Sequence, residues 1–217
     1  MLNFYEFIKN KSTHNPGYDT HKIALPFRML VCCQSGAGKS NFVLNLIRLM
    51  DRTFTEIIIV TKAEETLYNH LIEKVQGVKI YYYHEDGIPQ LQSSDTNKLI
   101  VFDDLVTIKD KAIDELFIRG RKMNYSSIYI SQSYFMTPKL IRQNISYLAL
   151  GRGISASDIN LILREYSVSI PIEQLKKLYH DITAERMSFM LFDFDNLNIR
   201  KNFLDIVWSR ELPAQSV

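Results

Sequence analysis

The chain has 217 residues, 46% of them hydrophobic and 23% charged, with a formal net charge of +2. This balance suits one α/β domain, or one domain with a small appendage, and disorder is not expected over most of its length. So modest a charge neither demands nor excludes a nucleic-acid partner: any DNA contact has to come from local basic patches or from several assembled copies.

Residues 1–25 are polar, with a turn signal at Asn15-Pro16-Gly17, and are expected to form a leader on the domain edge or to be partly disordered. The leader lacks the pattern of a secretory signal. No apolar run in the chain approaches the roughly 18–20 residues of a membrane helix, so a soluble, intracellular protein is expected. The main domain is expected over 26–207 and a short tail over 208–217.

From residue 28 the pattern alternates between strand and helix. Arg28-Met29-Leu30-Val31-Cys32 predicts a strand that stops at a glycine-containing loop. Cys32 and Cys33 are sequence neighbours and point to opposite faces, so no bridge between them is expected and a reducing compartment fits. Val43, Leu46, Ile47 and Met50 follow at helical spacing. A buried strand is predicted over 57–60, a helix over 63–75, a strand over 78–83 and a loop over 85–96. The apolar run at 99–102 ends in Asp103-Asp104.

A helix ending near Arg121 precedes a strand at 128–130, which closes at Ser131-Gln132. A short helix over 138–142, a strand over 147–150 and helices over 156–166 and 171–180 come next, and 189–192 reads as a last strand. Strands alternating with helices predict a mostly parallel sheet covered on both faces. The five histidines show no metal-ligand spacing.

Gly38-Lys39-Ser40 matches the end of the P-loop pattern G-x-x-x-x-G-K-[ST], and Gly36 supplies a second permissive residue. The first glycine position holds Cys33, a departure from the pattern. Gln34, Ser35, Gly36, Ala37, Gly38, Lys39, Ser40 and Asn41 are therefore the candidate nucleotide contacts. Inward-facing backbone N–H groups and the following helix N-terminus would cradle a β-phosphate. Lys39 would reach the β- and γ-phosphates, and the Ser40 hydroxyl would bind Mg²⁺. Asp103, at a neighbouring strand tip, is the second candidate Mg²⁺ ligand. Asp104 either orients or deprotonates an attacking water, or caps the next segment. The second acid and the strand-end Gln132, placed to touch the γ-phosphate or water, separate the additional-strand (ASCE) hydrolases from many kinases and GTPases.

Arg119-Gly120-Arg121-Lys122 reads as a basic helix end or as an arginine finger offered to another subunit. Lys139 and Arg142 form a second basic cluster, which could sense nucleotide, line a DNA path or lie on a solvated helix.

Taken in order, Pro26-Phe27-Arg28, Gly36-Ala37-Gly38-Lys39-Ser40, Asp103-Asp104-Leu105, Gly120-Arg121-Lys122, Ile130-Ser131-Gln132 and Arg142-Gln143-Asn144 resemble the poxvirus-type genome-packaging ATPases of the FtsK–HerA superfamily. Related proteins occur in large DNA viruses, virophages and Polinton-like elements. The resemblance covers about residues 26–207, and the run from Asn198 to Phe203 looks like the family's tail. It implies a RecA-like core in which the acidic-pair and Gln strands lie between the P-loop strand and the strand at 57–60. It implies ATP and Mg²⁺ as cofactors and a ring, hexameric or pentameric, that threads double-stranded DNA into a preformed capsid in the host cytoplasm or viral factory, with capsid proteins as further partners. Arg121 stands eleven residues before Gln132, similar to the finger-to-sensor spacing of that superfamily, which makes it the preferred finger over Arg119 and Arg142. Residues 84–96 and 104–112, the latter carrying Lys109 and Lys111, are alternative DNA-gripping segments. A nucleoside-kinase-like phosphotransferase and a slow regulatory P-loop module are the alternative functions.

Overall fold

The computed structural model describes residues 14–166 and 170–210, so the first half of the leader and most of the tail lie outside the described residues. A nine-stranded sheet organises the chain in the order β3-β2-β4-β5-β1-β6-β7-β8-β9. The strands are β1 (Arg28–Cys32), β2 (Glu56–Thr61), β3 (Val78–Tyr82), β4 (Lys98–Asp103), β5 (Tyr125–Ser131), β6 (Tyr147–Leu150), β7 (Met190–Asp193), β8 (Asn198–Lys201) and β9 (Asp205–Ser209). The first six are mutually parallel, and β7, β8 and β9 continue the sheet antiparallel. As expected, β4 and β5 lie between β1 and β2.

The period-2 alternation of the strands divides the core into two layers. Met29, Val31, Leu99, Val101, Ile128 and Ile130 face one layer, shared with Phe42, Val43 and Leu46 of α2 (Lys39–Leu49) and Tyr68 and Leu71 of α3 (Thr66–Lys74). Leu30, Cys32, Ile100, Phe102 and Tyr129 face the other. There they meet α5 (Lys111–Arg119), α7 (Ala156–Tyr166) and α8 (Ile172–Ala184). Strands apolar on both faces need this double cover, because parallel sheets bury both sides. Three four-residue helices complete the set: α1 (Tyr18–His21), α4 (Tyr83–Asp86) and α6 (Lys139–Arg142).

The structure departs from the sequence-based expectation at the carboxyl end. The strand at 190–193 is followed by β8 and β9, so it is not the last. Asn198, Arg200 and Lys201 gave β8 no apolar signature, and β9 is a largely exposed edge strand running across the expected domain limit at 207. A buried ion pair explains the polar β8. Arg200 pairs with Asp193 of β7 and donates to Lys22 O at 3.1 Å, Phe203 O at 3.2 Å and Asn198 Oδ1 at 2.9 Å. One guanidinium thus joins the antiparallel strands to the leader. Ile23 and His21 are also fully buried, which packs the described leader onto the domain.

Candidate nucleotide site

The cradle follows β1 and leads straight into α2. Gly36 and Gly38 have φ of +73° and +99°, the left-handed region that glycine enters without a Cβ penalty. Gly38 is also approached closely: a Cβ there would stand 2.5 Å from Met187 Sδ. Gly38 caps α2, whose first turn contains no acid to oppose an anion. That turn leaves N–H donors directed at the loop. Lys39 Nζ donates to Cys33 O at 3.3 Å and Gln34 O at 3.2 Å, so its ammonium lies along the inside of the loop.

Cys33, at the first-glycine position, is accommodated from across the sheet. A Cβ on Gly151, just after β6, would stand 2.8 Å from Cys33 Cβ. The volume that the P-loop pattern leaves free at its first position is here left free at 151. Both cysteines are buried free thiols, and burial raises the Cys33 pKa to about 11. They are packing groups.

Sheet parity fixes the orientation of Asp103. Leu99 and Val101 face α2 and α3, so Asp103 at the tip of β4 faces them too. It is 7% exposed and accepts a 2.6 Å hydrogen bond from the Tyr68 hydroxyl of α3. The Ser40 hydroxyl interacts with the same phenol. Burial pushes the Asp103 pKa up to about 6, with Glu65 and Asp104 adding to the rise and Tyr68 and Lys39 opposing it. A divalent cation between Ser40 and Asp103 would hold this carboxylate ionised. Its donor set, a hydroxyl and a carboxylate, is the oxygen chemistry that Mg²⁺ takes. The glycine turns, Lys39, Ser40 and Asp103 therefore fit an Mg²⁺-bound phosphate chain. Tyr68 was legible in the sequence only as an apolar helix position. A buried phenol needs a polar partner, but nothing in the spacing names Asp103.

Asp104 steps out of the strand with φ +54°, tolerable for Asp. Gln132 Nε2 approaches Asp104 Oδ1 at 3.5 Å, so the two groups meet at the carboxyl edge. The helix that follows is capped by Asp110, whose Oδ1 accepts from Ala112 N at 2.8 Å. Asp104 is therefore not the cap of α5.

The arginines separate cleanly. Arg142 is buried: it pairs with Glu165 at 2.5 Å, donates to Thr137 O at 3.1 Å and lies 5.0 Å from the Tyr134 ring. It belongs to the core around α6 and α7, where it is not free to act as a finger, nucleotide sensor or DNA contact. Removing it as Arg142→Ala should cost roughly 3 kcal/mol, the lower end for a broken buried pair because the Glu165 side chain keeps 20% exposure. Urea unfolding measures this, and a cost below 1 kcal/mol would show that the pair does not hold the two helices. Arg119 is exposed beside Glu115 at 3.7 Å. Arg121 is exposed in the 3-10 turn Gly120–Met123 that enters β5, while Gln132 leaves β5. Seven strand residues, about 23 Å at 3.3 Å each, separate the two edges. The structure thus brings the cradle, Asp103, Asp104 and Gln132 together, and sets Arg121 at the opposite edge. Asn41 diverges from the cradle and lines a groove of about 420 Å³ between α2 and α3.

A glycine cradle after β1, with an acid-tipped strand and a Gln-tipped strand inserted beside it, defines a P-loop protein of the additional-strand class. The chain belongs to the family described as Poxvirus A32 protein, whose profile matches residues 18–188. It is 25% identical over 176 residues to the DNA packaging protein OPG160 of vaccinia virus (strain Copenhagen), covering 71% of this chain and 62% of that protein. The monkeypox virus protein of the same name is also 25% identical, with 56% of its length covered. The fold resembles the genome packaging NTPase B204 of Sulfolobus turreted icosahedral virus 2, solved with AMPPCP. That likeness has a TM-score of 0.57 at 14% identity, over 83% of this chain and 98% of that one. The cytoplasmic domain of the Thermomonospora curvata Type VII secretion ATPase EccC is similar with a TM-score of 0.53 at 15% identity, over 87% of this chain and 26% of that one.

Proposed function

We propose that this chain is an ATPase that drives double-stranded DNA into a viral capsid, acting as one subunit of a ring. The observation that carries the reading is the meeting of Asp103, Asp104 and Gln132 beside the cradle, on strands β4 and β5 inserted next to β1. That group can hold a triphosphate, bind its metal and position a water, which hydrolysis requires. The names of the viral relatives support DNA packaging as the use of that hydrolysis. The chain spans 62% of the length of the vaccinia relative, so partners of the remainder of such a protein lie beyond this reading.

Mg²⁺, when bound, would neutralise charge developing on the transferred phosphoryl group. Lys39 would bind the β- and γ-phosphates, and Ser40 and Asp103 would hold the metal, with Tyr68 fixing the Asp103 carboxylate. Asp104 would receive the proton of the attacking water, and Gln132 would orient that water or the γ-phosphate. Arg121 would complete the site of a neighbouring subunit. Segments 84–96 and 104–112 follow β3 and β4 at the carboxyl edge, and exposed Lys109 and Lys111 make the second a candidate for DNA contact.

The assay is ATP turnover with and without duplex DNA, alongside nucleoside acceptors. Several-fold stimulation by DNA is expected. Phosphate transfer to a nucleoside would overturn the motor reading in favour of a kinase, and slow DNA-independent turnover would favour a regulatory module.

A further inference from the structure

One element beside the cradle is left over by hydrolysis: the turn between α8 and β7, which carries Arg186 and Met187. A cavity of about 160 Å³ opens between this turn and the cradle. Its walls include Gln34, Ser35, Gly36, Arg152, Arg186 and Met187.

Sheet order gives the cavity a meaning. Asp103 and Gln132 come from β4 and β5, on one side of β1, and the γ-phosphate end of a nucleotide must face them. The cavity lies on the other side, over β6 and β7. A triphosphate gripped at its middle by residues 35–40 therefore directs its nucleoside end toward the cavity.

The turn is also built to hold a position. Arg152 donates to Thr183 O at 3.2 Å and Ala184 O at 2.7 Å, which ties it to the loop after β6. Glu185 pairs with Lys201 of β8 at 2.7 Å. Ser188 N donates to Glu185 O at 3.3 Å, and Asn202 N to Phe189 O at 2.9 Å. Between these anchors Met187 adopts φ +66°, an uncommon conformation for a side-chain-bearing residue, and stays 46% exposed. Its sulfur packs on Gly38, where an added Cβ would stand 2.5 Å from it. Backbone strain and a half-exposed side chain, held against the phosphate loop by these anchors, point to a ligand surface.

We propose that the Arg186-Met187 turn is the nucleoside subsite. The planar Arg186 guanidinium and the polarisable Met187 thioether would meet the base and ribose of the bound nucleotide. This rests on the cradle being a nucleotide site. It adds that affinity is divided between a phosphate half, centred on Lys39, and a nucleoside half, centred on Arg186.

Calorimetric titration with two probes tests the division: AMPPCP, which carries the nucleoside, and inorganic tripolyphosphate, which lacks it, both with Mg²⁺. Arg186→Ala should raise the AMPPCP Kd about tenfold and leave the tripolyphosphate Kd within twofold. Met187→Asn, whose side chain tolerates the left-handed backbone, should weaken AMPPCP about threefold and also spare tripolyphosphate. Equal weakening of both probes would make Arg186 a general phosphate cation and overturn the subsite. So would no change in either probe. Lys39→Ala separates the two readings: it should weaken both probes strongly, and if it weakens neither, the cradle itself is not the nucleotide site.

Discussion

Arg121→Ala is expected to lower ATP turnover about 10³-fold, the lower end for removal of an arginine finger, with fold and nucleotide affinity unchanged. Arg121 is exposed, so its removal should change stability by no more than about 0.5 kcal/mol. It sits near half-buried Arg28, whose pKa is lowered by burial and then by the Arg121 charge, with Asp195 opposing. The trans role would use these guanidinium groups, with Asp195 beside them, to meet the nucleotide of another copy. The length of β5 keeps Arg121 about 23 Å from the edge that holds the cradle, Asp104 and Gln132, so a finger role requires the site of another copy. Subunits carrying Arg121→Ala and subunits carrying Lys39→Ala, each inactive alone, should regain part of the turnover when mixed, because an intact cradle then meets an intact finger at some interfaces. Intact assembly with no recovery at any mixing ratio would remove Arg121 from the reaction. The same experiment on exposed Arg119, held beside Glu115, should leave turnover nearly unchanged.

The alternation of apolar runs with helical spacing made the parallel half of the sheet legible, and the motif order anticipated that β4 and β5 lie inside β1 and β2. Motif residues that act through strand ends were legible for the same reason: a parallel sheet delivers every strand tip to one edge, so Asp103, Asp104 and Gln132 had to meet near the cradle. Residues whose role depends on a distant partner were not. Arg142 looked like surface cation chemistry because Glu165 is 23 positions away on another helix. Tyr68 looked like core because its apolar ring does face the core, and only its hydroxyl reaches Asp103. The antiparallel β8 hid because a buried ion pair, Arg200 with Asp193, replaces the apolar side chains that mark a strand. Cys33 looked like a defect in the cradle until Gly151 supplied the missing space.

Asp104→Asn is expected to reduce turnover by about 10²- to 10⁴-fold, the range for loss of a general base, while AMPPCP binding persists. The substitution is chosen for what it keeps. Asn is nearly isosteric and enters the left-handed region as readily as Asp, so the φ of +54° adds no strain. Its amide oxygen can still accept from Gln132 Nε2, the contact that Asp104 makes at 3.5 Å. Asn also caps helices about as well as Asp, so a residue serving the backbone alone would survive the change; α5 takes its cap from Asp110 in any case. What Asn cannot do is accept a proton from water at neutral pH. Full turnover in Asp104→Asn would therefore strip Asp104 of the base role and leave water activation to Gln132 or to a group of the adjoining subunit. The matching change one residue earlier should read out differently. Asp103→Asn removes the carboxylate that Tyr68 fixes at 2.6 Å, and its loss of turnover should come with a higher Mg²⁺ requirement. A metal defect at 103 and a proton defect at 104 would separate the two adjacent acids by function, as their opposite placements at the tip of β4 separate them in space.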